Sequence, residues 1–233
     1  MNVLYGGNDP RDIPTYTIGD AARYLRIPVA TIRSWTVGLQ YPVAEGTRFF
    51  KPLIPISDRK PRLLSFTNLV ELHVLRAIRK DHQIQLDKVR TALDFIDQKL
   101  EVPHPLAREK FRTDGIDLFI DRYSHPINAS QQGQVALKDS LSQHLERIEP
   151  DDSGLAIKLY PFTRSHEENN PRLVVIDPRI AFGQMVISGT GIPTSLLAER
   201  YRAGDSIHDL AEDYDCNLAA IEEAIRCELP SAA

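Results

Sequence analysis

Two short segments, one near each end of the chain, share the same helix-start signal and the same spacing of apolar residues. In each segment the apolar residues recur at positions i, i+3, i+4 and i+7, which is the spacing of one buried helix face. Each segment begins with a capping box, in which a polar N-cap residue is followed three positions later by an acidic residue. These boxes are Thr17 with Asp20 and Ser206 with Asp209. The segments 17–25 and 206–214 therefore predict two short helices of the same design.

A second helix is predicted directly after each of these. Pro28 stands at a first helical position before 29–35, and Asn217 caps a helix that starts at Leu218. A shift of 189 residues superposes the apolar positions of the two helix pairs. Both ends of the chain are therefore predicted to form helix-turn-helix units. The similarity is one of pattern and does not demonstrate a duplication.

The region after the first unit predicts a hairpin and two longer helices. Residues 37–64 are rich in Gly and Pro and contain short β-prone pieces, which predicts a hairpin wing. With Ser65 as N-cap, apolar residues repeat at helical spacing as far as Ile78. A second apolar stripe over 86–100 predicts either an antiparallel partner for that helix or a dimer helix.

Two prolines, Pro103 and Pro105, break the helical pattern. The segments that follow predict a strand, a helix and a strand, at 118–123, 135–148 and 155–160. The polar stretch 165–171 has no periodicity and predicts a linker. The predicted fold is mainly α with small β elements (α+β). It has a winged helix-turn-helix head, an α+β middle and a trihelical, helix-turn-helix-like tail, at residues 1–102, 103–170 and 171–233.

The charges of the chain are divided unevenly between these regions. The formal net charge is −4, but residues 1–100 contain 15 basic and 10 acidic residues, whereas residues 171–233 contain 5 and 10. A cluster of cations can bind a polyanion even in an acidic protein, so the head is suited to nucleic acid. Two cysteines, no signal-peptide pattern and no long apolar run predict a soluble cytoplasmic protein with no membrane partner.

Cations in the head occupy the positions that DNA recognition requires. Exposed residues on the second helix can contact base edges, and wing cations can hold phosphates. The alternative interpretation is that these residues are solvated charges around a small core. The candidate DNA-binding residues are Arg26, Thr31, Arg33, Ser34, Arg48, Lys51, Arg59, Lys60 and Arg62. Trp35 is expected to pack in the core rather than contact phosphate, and His73 is expected to be a buried histidine without a function.

The second helix-turn-helix has the opposite charge. From Gly204 to the end of the chain, eight acidic residues accompany a single cation, Arg226. DNA phosphates would repel such a surface at short range. The tail is therefore predicted to bind a protein partner or to dimerise, with a solvated acidic face as the alternative.

Patterns that would indicate an enzyme or a bound cofactor are weak. The segment 183–191 has the wrong glycine spacing for a phosphate-binding loop or a dinucleotide fingerprint, and no lysine follows it. The seven histidines do not form a zinc-binding pattern with each other or with the cysteines. We therefore expect no catalytic residues, no metal site and no cofactor.

Two family resemblances rest on these residues. The head, with its YTIGDAA and TIRSW segments, its wing and the helix FTNLVELHVLRAIR, resembles the MerR-type winged helix-turn-helix. The tail, through VIDPRIAFG, ISGTGIP and AGDSIHDL, resembles a small bacterial trihelical family of unknown function. Members of that family are commonly encoded beside PIN-like nuclease toxins. Together the two resemblances indicate a VapB-type antitoxin.

The resemblance implies a function, and one alternative stays open. It implies a type II antitoxin that represses its own operon by binding double-stranded promoter DNA as a homodimer and neutralises a PIN-type ribonuclease toxin in a hetero-oligomer. A PIN-type toxin holds a divalent metal with carboxylates, so an inserted cation could inhibit it. The candidate cations are Arg172, Arg179 and Arg200. The alternative is a solitary ligand-responsive repressor whose α+β middle contains the effector pocket.

Overall fold

The computed structural model describes residues 6–43, 46–56, 62–80, 86–124, 131–164 and 170–229. Within these residues the helices are α1 (Ile18–Leu25), α2 (Val29–Thr36), α3 (Phe66–Lys80), α4 (Leu86–Leu100), α5 (Ile116–Ser124), α6 (Gln131–Leu145), α7 (Thr194–Ala203), α8 (Ile207–Asp213) and α9 (Leu218–Glu228). The strands are β1 (Leu39–Val43), β2 (Gly46–Phe50), β3 (Ile148–Pro150), β4 (Ala156–Leu159), β5 (Val174–Ile176) and β6 (Met185–Ile187). The predicted class, mainly α with small sheets, is confirmed.

Helix α3 forms the centre of the head. Every residue from Leu64 to Leu75 is buried, although the segment includes five polar side chains. Ser65 caps the helix as predicted, because its hydroxyl accepts a hydrogen bond from the Asn68 N–H at 3.2 Å. The buried polar groups are hydrogen-bonded, which is the condition under which such groups are tolerated in a core. The helix contacts α1 on one side and α6 and β4 of the middle on another.

Helix α4 has an apolar face that is covered inside the chain. Its buried residues are Val89, Ala92, Ile96 and Leu100, and the helix packs chiefly on α5. Neither predicted partner of this stripe, α3 or a second copy, is its chief partner in the structure, because α5 occupies the face.

The middle differs from the sequence prediction at one element. Residues 118–123 belong to helix α5 rather than to a strand. A short apolar run such as Leu118, Phe119 and Ile120 cannot distinguish the two structures, and here a turn of π-helix at Phe111–Gly115 leads directly into α5. Residues 125–130, between α5 and α6, lie outside the described residues. The predicted helix at 135–148 is α6, but Ile148 begins strand β3.

A four-stranded antiparallel sheet joins the middle to the tail. Its strand order is β3-β4-β5-β6, and Leu159 of β4 pairs with Ile176 of β5 across the predicted linker. The largest cluster of buried apolar residues likewise includes side chains from the head, the middle and the tail. The predicted domain boundaries at 102 and 170 therefore lie within one continuous core. Whether the three regions are separate domains stays a prediction.

Three helices, α7, α8 and α9, form the predicted trihelical tail and contact one another pairwise. Ser206 and Asp209 form the predicted capping box at α8, and the Asn217 side chain accepts a hydrogen bond from the Ala220 N–H at 2.8 Å. Among the described helices, none has the length and apolar character to cross a membrane.

Candidate nucleic-acid interface

The first helix-turn-helix begins at the predicted capping box. The Thr17 hydroxyl accepts from the Asp20 N–H at 3.0 Å, and the Asp20 carboxylate accepts from the Thr17 N–H at 3.0 Å. Helix α1 ends at Leu25, and its C-cap residue Arg26 has a φ of 52°, in the left-handed region, which redirects the chain toward α2. The turn is held to α3 because the Arg76 guanidinium donates to the Leu25 carbonyl. Burial, together with the charge of Arg26, lowers the pKa of Arg76.

Helix α2 has a buried side and an exposed side. Ile32 and Trp35 are buried, whereas Arg33 between them is exposed. Thr31 and Ser34 are half-buried, and the Ser34 hydroxyl donates to the Thr31 carbonyl at 3.0 Å. Because that hydroxyl proton is used within the helix, Arg33 is the predicted contact residue on α2 that is best placed to donate to a base edge.

Trp35 packs in the core, as predicted, with 3% of its surface exposed. Its carbonyl accepts hydrogen bonds from the backbone N–H groups of Leu53 at 2.7 Å and Ile54 at 3.0 Å. The end of α2 therefore fixes the place where the chain returns from the hairpin. The hairpin cannot change its position without disturbing the C-terminus of the candidate recognition helix.

The predicted wing is the antiparallel hairpin of β1 and β2. Arg48 pairs with Tyr41 across the two strands, and Arg48, Lys51 and Arg62 are exposed. Arg59 and Lys60 lie outside the described residues. Arg26 is half-buried at the end of α1. The structure thus places the described candidates on α2, on the wing and at the two turns beside them, where cations can contact phosphates.

Arg90 is a residue that the sequence analysis did not identify. It lies on α4, donates to the carbonyls of Lys51 and of Pro52 (3.1 Å), and stacks over the Phe50 ring at 4.9 Å. Arg90 therefore holds the end of the wing in place and does not itself need to contact DNA. No signal in the sequence links Arg90 to these partners, because they are backbone groups 38 and 39 residues away.

The tail carries its acidic residues on a helix-turn-helix of the same shape, and one of them is fully buried. Glu223 on α9 has no exposed surface, and the Arg164 guanidinium holds its Oε2 with two hydrogen bonds of 2.8 and 3.0 Å. Burial, together with the nearby Glu223 carboxylate, raises the pKa of the Cys227 thiol to about 12, so this half-buried cysteine is a protonated thiol at neutral pH. Within the described ranges, no group of three or more His, Cys, Asp or Glu side chains could hold a metal ion.

The three arginines suggested for toxin binding have partners inside the chain. Arg172 donates to the Glu146 carbonyl at 2.7 Å, and Arg179 pairs with the buried Asp177 carboxylate at 2.7 Å. Arg200 pairs with two carboxylates of the tail, those of Asp205 at 2.5 Å and Asp213 at 2.6 Å. Each guanidinium would have to give up these contacts before it could enter a carboxylate cluster of another protein. Their role in toxin binding stays a prediction.

Comparisons with known proteins match two separate parts of the chain to family models. Residues 14–93 match a family model described as "Putative DNA-binding HTH domain", and residues 174–226 match one described as "Protein of unknown function (DUF433)". The chain is similar to a Mycobacterium tuberculosis protein named "Putative antitoxin VapB45", with 27% identity over 92% of this chain and 93% of that protein. It is also similar to the same organism's uncharacterized protein Rv2308, with 22% identity over 92% and 90% of the two chains.

A solved structure supports the fold. The crystal structure of Rv2018 from Mycobacterium tuberculosis has a TM-score of 0.66 to this chain, with 24% identity over 92% of this chain and 98% of that one. The resemblances predicted from sequence, to an antitoxin with a helix-turn-helix head and to a tail family of unknown function, are confirmed at this level. The MerR type of the head stays a prediction.

Proposed function

We propose that this protein is a cytoplasmic type II antitoxin that binds promoter DNA of its own operon through the head and neutralises a PIN-type ribonuclease. It acts as a binding protein without catalytic activity of its own. The observation that carries the proposal is the exposed Arg33 on the second helix of the head, beside a wing with exposed Arg48 and Lys51. Similarity to an antitoxin over nearly the whole chain supports the toxin partner.

The tail supplies the protein-binding half of the proposal. Its second helix-turn-helix carries exposed carboxylates, such as Glu212 and Glu222, where a DNA-reading unit would carry cations. A surface of this charge is repelled by phosphates but can complement a basic protein surface, such as the rim of an RNA-binding channel. The charge of the tail therefore favours inhibition by covering the RNA channel of the toxin. Insertion of an arginine that is already paired within this chain is less favoured.

Co-purification tests the toxin partner directly. The tagged chain is expressed together with the product of the adjacent gene and washed at high salt. We expect a stoichiometric complex with a small nuclease whose RNA cleavage is suppressed. A chain that elutes alone, beside a neighbour without nuclease activity, would contradict the antitoxin proposal.

A solitary ligand-responsive repressor is the second candidate, and one groove favours it. The groove has a volume of about 470 Å³ and lies between the head and the start of the middle, with Leu53, Leu93 and Leu106 in its walls. At its edge His104 Nδ1 lies 3.1 Å from the Glu71 carboxylate, which raises the pKa of His104. By contrast, the pocket at Leu145 and Ile148 in the middle has room for only about 20 Å³.

The second candidate predicts a ligand that changes DNA binding. The chain is purified from its native host and analysed by native mass spectrometry before and after mild denaturation. A bound small molecule whose removal changes affinity for promoter DNA at least tenfold would favour this candidate. Equal affinity before and after the treatment, with no added mass, would contradict it.

A further inference from the structure

The fold does not by itself identify the surface through which two copies of the chain could associate. Helix-turn-helix proteins commonly bind DNA as dimers, whose geometry sets the spacing of the two half-sites. The family resemblance implies that promoter DNA is bound by a homodimer, yet the apolar face of α4 packs on α5 within the chain. A different surface must therefore join the two copies.

Phe182 is a fixed aromatic projection on the surface of the tail. It is 68% exposed, which is the largest value among the exposed large hydrophobic residues that the structure describes. It lies in a turn between β5 and β6 in which Ala181, Phe182 and Gly183 have φ values of 46°, 54° and 77°. Consecutive left-handed residues of this kind are costly, and an exposed phenylalanine gains nothing from burial to offset that cost.

The turn is held against the head. The Tyr16 hydroxyl donates to the Gly183 carbonyl at 2.9 Å. A Cβ atom at Gly183 would lie 2.1 Å from the same hydroxyl oxygen, so only glycine allows this approach. Phe182 is thus presented from a rigid base, which lowers the entropy lost when an aromatic anchor binds.

A cavity of about 240 Å³ opens beside Phe182, which forms part of its edge. Its walls come from both ends of the chain: Arg23 and Tyr24 of α1, Met185 of β6 and Ser195 of α7. A protein cavity of about 150 Å³ can accept benzene, so this one has room for a phenyl ring. The floor is polar, because Glu228 accepts from Arg23 and, at 2.6 Å, from the Thr194 hydroxyl.

We propose that this patch is the homodimer interface, in which Phe182 of each copy inserts into the cavity of the other. A projection and a matching cavity on one patch are self-complementary, which is the requirement of a two-fold interface. The Arg23 guanidinium lies over the Tyr24 ring at 4.8 Å and pairs with the Glu228 carboxylate, so the incoming ring meets a neutralised ion pair beside the Tyr24 and Met185 side chains. A second copy is therefore the occupant whose chemistry and shape fit the patch.

The proposal connects dimerisation to DNA binding. Because α1 supplies part of the cavity, insertion of Phe182 fixes the helix-turn-helix of one copy relative to the tail of the other. The distance between the two copies of Arg33 would then be set by this contact. The inference rests on the proposed function, promoter binding, only as the reason for a dimer, and the measurement of self-association needs neither toxin nor DNA.

Sedimentation equilibrium of the full chain tests the proposal. We expect a dimer whose dissociation constant rises at least tenfold in Phe182→Asn, a residue that accepts a positive φ and leaves the turn intact. Ser195→Trp, which fills the cavity, should have a similar effect without touching the projection. The matched control is Phe49→Asn, because Phe49 is 55% exposed on the wing and lies outside the patch.

Each other outcome overturns the proposal. A chain that stays monomeric at concentrations of about 100 µM has no such interface. A dimer that Phe182→Asn and Ser195→Trp leave unchanged uses another surface. If Phe182→Asn keeps the dimer but abolishes capture of the neighbouring gene product, the patch binds the toxin instead. Circular dichroism and a thermal melt establish that each variant is folded before its dissociation constant is measured.

Discussion

The head and the tail contain the same helix-turn-helix in two different chemical forms. Positions 189 residues apart match in detail: Arg26 and Asp215 both have a left-handed φ, of 52° and 49°. The residue after each, Ile27 and Cys216, donates its N–H to a carbonyl five residues earlier, at 3.2 and 3.0 Å. The apolar pattern therefore specifies one local structure at both ends of the chain, in spite of different neighbours.

What differs is the exposed side of the second helix. The position of Arg33 in the head corresponds to Glu222 in the tail, and both side chains are exposed. The half-buried Ser34 corresponds to Glu223, which is buried against Arg164. The comparison teaches that the fold does not determine the ligand of a helix-turn-helix, because the charge of the exposed face decides whether phosphates are attracted or repelled.

The largest expected effect concerns the buried carboxylate of Glu223 in the second helix-turn-helix, which has no counterpart at Ser34 in the first. Arg164→Met removes the main partner of Glu223, and breaking a buried ion pair in this way costs about 3 kcal/mol or more of unfolding free energy. Urea denaturation measures the change. The double variant Arg164→Met/Glu223→Leu should recover most of the loss, and Ser34→Ala at the corresponding position of the head should cost less than about 1 kcal/mol. A small loss in the single variant would show that Glu223 does not depend on Arg164.

The Arg164–Glu223 ion pair also shows what could not be predicted from the sequence. Both helix-turn-helix units follow from the apolar spacing and the capping boxes, because those signals are local. The partnership of Arg164 with Glu223 joins residues 59 positions apart, and that of Arg90 with the wing joins an arginine to backbone groups. Neither leaves a pattern in the sequence.

The errors of prediction have the same cause. The apolar stripe of α4 was predicted to pack on α3 or on a second copy but packs chiefly on α5, because spacing does not say which helix covers a buried face. The run 118–120 was too short to separate a strand from a helix. Phe182 also gave no signal, since its exposure depends on a turn that is held by Tyr16, 166 residues earlier in the chain.

The second prediction compares two variants, each of which removes one exposed side chain at the corresponding position of one helix-turn-helix. Arg33→Ala should weaken binding to promoter DNA by about 10- to 100-fold and relax base preference at one position, because a bidentate contact to a base is worth about 1–3 kcal/mol. The matched variant Glu222→Ala should leave DNA affinity unchanged or slightly raised. Fluorescence anisotropy at fixed salt measures both.

The control for this pair is binding to DNA of unrelated sequence. Arg33→Ala should reduce that binding much less than binding to the promoter. If Glu222→Ala weakened promoter binding as much as Arg33→Ala did, the tail would contact DNA and the contrast between the units would fail.

The third prediction concerns acid sensitivity, which should originate in the head. His73 on α3 is fully buried, and the centre of its ring is 4.9 Å from that of the His144 ring. Burial, together with the charge of His144, lowers the pKa of His73 well below 6.5. The unfolded chain therefore binds a proton below pH 6.5 that the folded chain does not. The contribution of neutral His73 to the free energy of unfolding should be fully present above pH 6.5. Below pH 6.5 the free energy of unfolding should fall by up to about 1.4 kcal/mol per pH unit.

Urea denaturation between pH 5 and 8 measures this dependence. His73→Gln should flatten the slope below pH 6.5, whereas His208→Gln, at an exposed position of the tail, should not. His104 acts in another window: Glu71 raises its pKa, so its contribution is complete below pH 6.5 and is lost as the pH rises. A slope that His73→Gln leaves unchanged would assign the acid sensitivity to another group.

The smallest effects test whether the two units are locally the same. Thr17→Ala and Ser206→Ala each remove a hydroxyl that accepts the third N–H of its helix, at 3.0 and 3.1 Å. Loss of such an N-cap costs about 1 kcal/mol. Both variants should therefore lose about the same unfolding free energy, but only Thr17→Ala should also weaken DNA binding, because only α1 supports the helix that we propose contacts DNA. Unequal losses of stability would mean that neighbouring packing, rather than the shared capping box, determines how firmly each unit is held.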